Sequence, residues 1–224
     1  MTHIATALAC GAFVCASAVV CSAQTLVMPK YEVSAGVRWV GPTAVGSELA
    51  NETAPGGAPR ALFSSHTRLD SSLGVKAGFG VRLSRAIRAE MAAAYGTAQL
   101  SSKVSADAEQ VADTTVRTPV KQLGVEGGIL AQRSRWRART VQPFVAAGVG
   151  YLREMYDGRT LIETGSAVYV GGGLYYVRAS ARPRHIRATG LRIDLRGSVR
   201  RGGVASTSKV HAAPEIAARM FVRF

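Results

Sequence analysis

Ser64, Ser65, His66 and Asp70 lie close together in the chain and supply a hydroxyl nucleophile, an imidazole base and a carboxylate. Those are the parts of a hydrolase or acyltransferase. No surrounding motif fixes their geometry, and polar groups of this kind gather in loops without any catalytic role. His185 and His211 stand apart from other ligand types and lack metal-ligand spacing. The run Gly171-Gly172-Gly173 precedes no helical pattern, so a phosphate cradle is not expected, and Asn51-Glu52-Thr53 matches a glycosylation acceptor only by coincidence. Cys10, Cys15 and Cys21 all fall in the first stretch of the chain. Residues 24 to 224 therefore hold no thiol for a disulfide, a zinc site or a nucleophile, and no cofactor is expected.

That first stretch has its own grammar. Residues 1 to 23 contain no Asp, Glu, Lys or Arg, run apolar and small from Ile4, and end Cys21-Ser22-Ala23 before Gln24. Small residues at the first and third positions before a cut, after a hydrophobic core, describe a signal peptide cleaved after Ala23. Ala, Gly, Ser and Cys dominate where a membrane anchor would carry Leu, Ile and Val. The mature chain, 24 to 224, is therefore expected to be exported, with the full net charge of +14.

The elements that would position any site read as strands. A hydrophobic fraction of 47% with 19% charged residues excludes wholesale disorder, and 24 glycines without a G-X-Y period point to turns and close strands. Beyond residue 23 no stretch is long and apolar enough for a membrane helix. Period-2 alternation recurs instead. Tyr31, Val33, Ala35, Val37 and Trp39 alternate with Glu32, Ser34, Gly36 and Arg38, and Leu191, Ile193 and Leu195 alternate with Arg192, Asp194 and Arg196. Further runs start near Leu73, Ile87, Leu123, Val141, Val168 and Ile216, so the expected fold is all-β with eight strands.

Connections alternate in length. Long polar segments occupy about 41 to 66, 100 to 115, 153 to 165 and 201 to 212, and shorter ones about 84 to 86, 132 to 140 and 178 to 188. Four long external loops and three short periplasmic turns are the topology of an antiparallel transmembrane β-barrel of the bacterial outer membrane. A soluble periplasmic barrel that binds a ligand would show the same alternation with its apolar face turned inward. The polar set favours the membrane reading, because Lys76, Arg82, Glu90, Glu126, Arg192, Asp194, Arg196 and Arg219 mix both signs with glycine. Opposite charges with few long neutral side chains suit a narrow lumen in which pairs satisfy one another. Tyr31 and Trp39 share the other face, about 26 Å apart along a strand, or about 20 Å of height after tilt, close to the spacing of two aromatic girdles.

The final segment, Ala218-Arg219-Met220-Phe221-Val222-Arg223-Phe224, places Met220, Val222 and Phe224 on one face with Phe last. It resembles the C-terminal signal of outer-membrane barrels, and the whole mature chain is similar to the small barrels of the outer-membrane protein A and X type. That resemblance implies that Met220, Val222 and Phe224 are read by the barrel-assembly machinery, and it brings a second expectation, since some barrels of this broad class modify lipids. The reading is thus a non-enzymatic structural or surface-binding protein, with a lipid-A-modifying hydrolase or acyltransferase using the His66 region as the alternative. Arginine crowds the short turns, at Arg133, Arg135, Arg137, Arg139, Arg182 and Arg184. Export argues against nucleic acid as its partner; contact with phosphates of outer-membrane lipid is one expectation and plain solvation the other. Any specific surface activity is expected in the external loops, above all in 41 to 66.

Overall fold

A computed structural model describes residues 29–52, 60–105, 113–132, 140–156, 162–180, 185–203 and 210–224. The expected signal peptide, the cut before Gln24 and the six arginines of the turns, Arg133, Arg135, Arg137, Arg139, Arg182 and Arg184, lie outside the described residues. Ten strand segments succeed one another: β1 (Tyr31–Val40), β2 (Thr43–Glu52), β3 (Arg60–Leu69), β4 (Ser72–Arg82), β5 (Ile87–Ser105), β6 (Thr114–Ala131), β7 (Val141–Tyr156), β8 (Ile162–Ala179), β9 (Ala188–Gly202) and β10 (Val210–Arg223). Every pairing is antiparallel, and the ring closes where β1 pairs with β10, from Glu32 opposite Arg223 to Val40 opposite Glu215.

The ten segments make eight staves. Along β5, residues 88–97 pair with β4 and residues 100–105 pair with β3, so β3 and β4 are one stave broken at Asp70-Ser71. β1 and β2 are likewise one stave broken at Gly41-Pro42, where proline has no N–H to give to a ladder. The backbone N–H of Gly41 still donates to the carbonyl of Pro214 on β10 at 2.8 Å, and beyond that point β2 pairs with β3.

The segment expected as the longest loop, 41 to 66, is therefore mostly ladder. β2 and β3 form a hairpin that rises past the apolar band, and β5 and β6 rise beside it, with Val104 opposite Thr114. Periodicity cannot report such strands: outside the hydrocarbon both faces meet water, and the alternation that marks a strand has no cause there. The backbone still has to pair, and hydroxyls join it, with Ser64 Oγ and Ser105 Oγ at 3.1 Å and Thr67 Oγ1 and Ser102 Oγ at 2.9 Å. At the opposite end the turns are tight, as at Leu83–Ala86, where Leu83 and Ser84 both donate to the carbonyl of Ile87.

Each stave presents its apolar set outward. Tyr31, Val33, Val37, Trp39, Leu73, Val75, Phe79, Met91, Tyr95, Val125, Val149, Tyr151, Leu191, Ile193 and Leu195 are all exposed, an arrangement that only lipid can make favourable. The buried set is inside, and it is charged.

The charged lumen as candidate functional site

Because β9 alternates strictly, Arg192, Asp194, Arg196, Ser198 and Arg200 all point into the barrel, and β10 adds Glu215, Arg219 and Arg223 from the adjacent stave. Asp194, fully buried, lies at the centre. Its Oδ1 accepts from Arg192 Nη2 at 2.6 Å and Arg196 Nη2 at 3.1 Å, and its Oδ2 accepts from Arg219 Nη2 at 3.0 Å. Glu90 on β5 accepts from Arg219 Nη1 at 2.8 Å and also from Arg192.

One tier towards the external side, Lys76 Nζ sits between two carboxylates, 2.7 Å from Glu126 Oε2 and 2.7 Å from Glu215 Oε1. Arg196 Nη1 reaches the same Glu126 oxygen at 3.0 Å and thereby joins this tier to the centre. Arg38 Nε stands 3.2 Å from Glu215 Oε2. One tier towards the turns, Glu32 accepts from Arg88, from Arg223 Nε at 2.7 Å and from the Tyr175 hydroxyl at 2.9 Å. Of the charges expected in the lumen, Lys76, Glu90, Glu126, Arg192, Asp194, Arg196 and Arg219 thus meet one another. Arg82 lies half-buried at the inner end of β4, opposite Arg88, and its backbone N–H donates to the carbonyl of Lys30.

The lumen also holds something that reading charges alone does not reveal. Leu130, Phe144, Ala146, Tyr175 and Phe221 form an apolar cluster inside the barrel. Tyr175 meets Phe144 at 5.0 Å and Phe221 edge-on at 5.1 Å between ring centroids. Guanidinium groups cover these rings: Arg192 lies 4.7 Å from the Phe144 centroid, and Arg223 4.6 Å from that of Phe221. Ring faces are thus a second kind of counter-charge for the arginines.

Glycine makes room for such rings. A Cβ on Gly148 would fall 2.5 Å from the Tyr169 hydroxyl, and one on Gly128 2.2 Å from it, so the Tyr169 ring can lie across two neighbouring staves only over bare backbone. Arg196 closes over that ring, 4.6 Å from its centroid.

Little space is left. Among the described residues the lumenal cavities, one lined by Arg38, Glu126, Tyr169, Arg200 and Glu215, another by Thr43, Leu152, Glu154, Arg200 and His211, measure about 20 Å³ each, room for a single water.

The cluster at His66 is arranged differently. His66 is exposed on β3, opposite Ser47 of β2 and Lys103 of β5. Ser64 Oγ donates to the carbonyl of Ser105 at 3.1 Å, and Ser65 Oγ to that of Glu48 at 3.4 Å. Asp70 accepts from Ser101 Oγ at 2.6 Å and pairs with Arg68 at 2.9 Å. Among the described residues these groups do not join into a hydroxyl, imidazole and carboxylate chain. Met220 and Val222 of β10, and Phe224 directly after it, fall on the outward side of the wall.

No protein-family model and no curated protein matches the chain. Among solved structures it is similar to the outer membrane protein OprG from Pseudomonas aeruginosa, at 13% identity over 88% of this chain and 96% of that one, with a TM-score of 0.50. Neisserial surface protein A aligns over 87% of this chain and 97% of its own, at 14% identity and a TM-score of 0.46. The fold is that of the small eight-stranded barrels of the bacterial outer membrane. With an apolar band outside and charges within, that membrane is where this chain resides.

Proposed function

We propose that this outer-membrane barrel is a non-enzymatic protein with a structural or surface-binding role, and that its binding surface is the external sheet formed by β2, β3 and the outer halves of β5 and β6. One observation carries the reading: side chains fill the lumen while the ladder continues past the apolar band. A filled lumen serves stability rather than passage, and an eight-stranded ring leaves no wider route. A sheet standing in water is the part of the molecule with surface to offer a partner. The engagement of Ser64, Ser65 and Asp70 by other groups supports the non-enzymatic part.

Two measurements test this. Purified barrel added to planar lipid bilayers should produce no stable conductance steps; a steady open channel would overturn the plugged-lumen reading. Closing the hairpin with a two-residue turn at the Ala44 and Arg68 pair should leave the barrel folded and heat-modifiable, because loop-closure entropy changes slowly with length. Cells carrying the closed form should lose adhesion to protein-coated surfaces that the full barrel confers. Unchanged adhesion would remove the hairpin from the function. Biogenesis fits the same reading: a precursor cut after Ala23, with the Met220, Val222 and Phe224 row read by the barrel-assembly machinery.

A further inference from the structure

Charge inside the barrel does not balance. Among the buried charges of the described residues, cations outnumber carboxylates. Every buried lumenal cation there but one stands within ion-pair reach of a carboxylate, and the exception is Arg200, 8% exposed. A buried charge without a partner is costly, so a fold that keeps one must offer it a counter-charge or water.

Arg200 lines one of the cavities of about 20 Å³, with Arg38, Gly124, Gly150, Glu126 and Glu215. Arg38, 9% exposed, meets Glu215 through Nε at 3.2 Å, while its Nη1 lies beside Gly124, 3.9 Å from where a methyl on that glycine would sit. Two guanidinium groups thus border one small space. The carboxylates on its wall are already shared, Glu126 between Lys76 and Arg196 and Glu215 between Lys76 and Arg38. Ser198, also in the lining, gives its hydroxyl to the Ala213 carbonyl. A water in the space would solvate Arg200 and leave two like charges facing each other, whereas an anion would serve both. The second cavity of about 20 Å³ shares Arg200 and lies towards the external mouth, where Thr43 Oγ1 and His211 Nε2 are shielded without hydrogen-bond partners. Those two atoms mark a polar route inward for a small ion.

We propose that Arg38 and Arg200 hold a monatomic halide anion, chloride under ordinary conditions, in the external half of the lumen. The inference goes beyond the structural or surface-binding role and is independent of what the external sheet binds. Size sets the class of ligand: a space with room for about one water admits a single ion and excludes phosphate, sulfate or a carboxylate. Guanidinium N–H groups supply charge-assisted donors from two sides. The bound ion completes the web of ion pairs at the end where carboxylates run short.

Two measurements on the purified barrel test this. Crystals grown from neutral detergent with sodium bromide should show an anomalous-scattering peak between the Arg38 and Arg200 guanidinium groups; density there without anomalous signal would mean that water fills the site and would overturn the proposal. Urea titrations in zwitterionic lipid vesicles then compare sodium chloride with sodium gluconate at equal ionic strength. Chloride at ten times its dissociation constant should lower the unfolding constant about tenfold, because it binds the folded chain alone. Two variants should abolish both the peak and the chloride effect. Arg200→Met removes the unpaired charge. Gly124→Ala leaves both guanidinium groups in place and fills the space, since its methyl would meet nothing closer than 3.8 Å. Heat-modifiable mobility on gels reports that each variant remains a folded barrel. A chloride effect that survives in either folded variant, or no difference between the two salts for the unaltered barrel, overturns the proposal and leaves the outer-membrane reading intact.

Discussion

Arg219 on β10 and Asp194 on β9 meet diagonally across neighbouring staves, Nη2 to Oδ2 at 3.0 Å, with Arg192 and Arg196 closing on the other oxygen of the same carboxylate. One acid thus serves three arginines. Each arginine also has a second acid, Glu90 for Arg192 and Arg219 and Glu126 for Arg196, so the pairs form a connected web rather than separate bridges. The two lumenal cavities beside the web, among the described residues, hold about 20 Å³ each, so little solvent is at hand to replace a missing member.

The first prediction concerns that web. Asp194→Ala leaves three guanidinium groups in a buried site short of one carboxylate, and removing one partner of a buried ion pair costs about 3–5 kcal/mol. Urea titration of the barrel in lipid vesicles should show that loss. Asp194→Asn keeps the shape and part of the hydrogen bonding and should lose less. A loss under about 1 kcal/mol for the alanine variant would mean that the web contributes little.

The next position along β9 gives the opposite experiment. Ile193 faces lipid, 50% exposed, beside Asp194 at 0%. Ile193→Arg places a charge in hydrocarbon and should destabilise by about 2–4 kcal/mol if the site is near the midplane, falling towards zero near either interface. Ile193→Leu should be neutral. Equal tolerance of arginine and leucine would place this face in water instead of lipid.

These two residues also show why so much of the wall was legible. Lipid on one side and packed charge on the other impose period two on every residue between, so parity alone gives the facing of Ile193 and Asp194. The same logic fails wherever its cause is missing. β2 and β3 have water on both faces, and their Ser, Thr and Gly residues read as loop although the ladder persists. It also fails for contacts distant in sequence. Parity places Tyr175 inward, opposite in sense to Tyr176, but its partners Glu32 and Arg88 come from β1 and β5 and nothing local announces them. Phe144 and Phe221 stay hidden for a related reason: an apolar residue on the lumenal side looks like an error in the pattern until a cation is seen above its ring.

Tyr175 yields the third prediction. Its hydroxyl donates to Glu32 Oε1 at 2.9 Å and accepts from Arg192 Nη1 at 2.9 Å and Arg88 Nη1 at 3.1 Å. Tyr175→Phe keeps the ring between Phe144 and Phe221 and removes only the oxygen. Glu32 retains Arg88 and Arg223, so the loss should be about 1–2 kcal/mol, clearly less than for Asp194→Ala. Tyr175→Ala, which also removes the ring, should cost about 3–5 kcal/mol. If phenylalanine proved as damaging as alanine, the hydroxyl and not the packing would be holding the lumen together.

The last prediction concerns pH, at the external end of the barrel beyond the apolar band. Glu163 on β8 stands directly opposite Glu154 on β7, and its Oε2 is shielded from solvent without a hydrogen-bond partner. Burial, and then the Glu154 charge, push the Glu163 carboxyl above the ordinary carboxylate range. A raised carboxyl pKa means that the folded chain binds the proton more tightly than the unfolded chain, so stability falls as pH rises through that range and levels off above it. Like charges directly opposed in an antiparallel pair are destabilising by a few tenths of a kcal/mol up to about 1. Glu163→Gln should therefore stabilise the barrel by that amount at about pH 8, and the gain should vanish at about pH 3, well below the ordinary glutamate pKa of about 4.3, where the unfolded carboxyl is also protonated. Denaturation midpoints of the two proteins measured across this span would decide it. A gain that persisted unchanged at the acid end would show that the glutamine acts through its new hydrogen bonds and not by removing a charge.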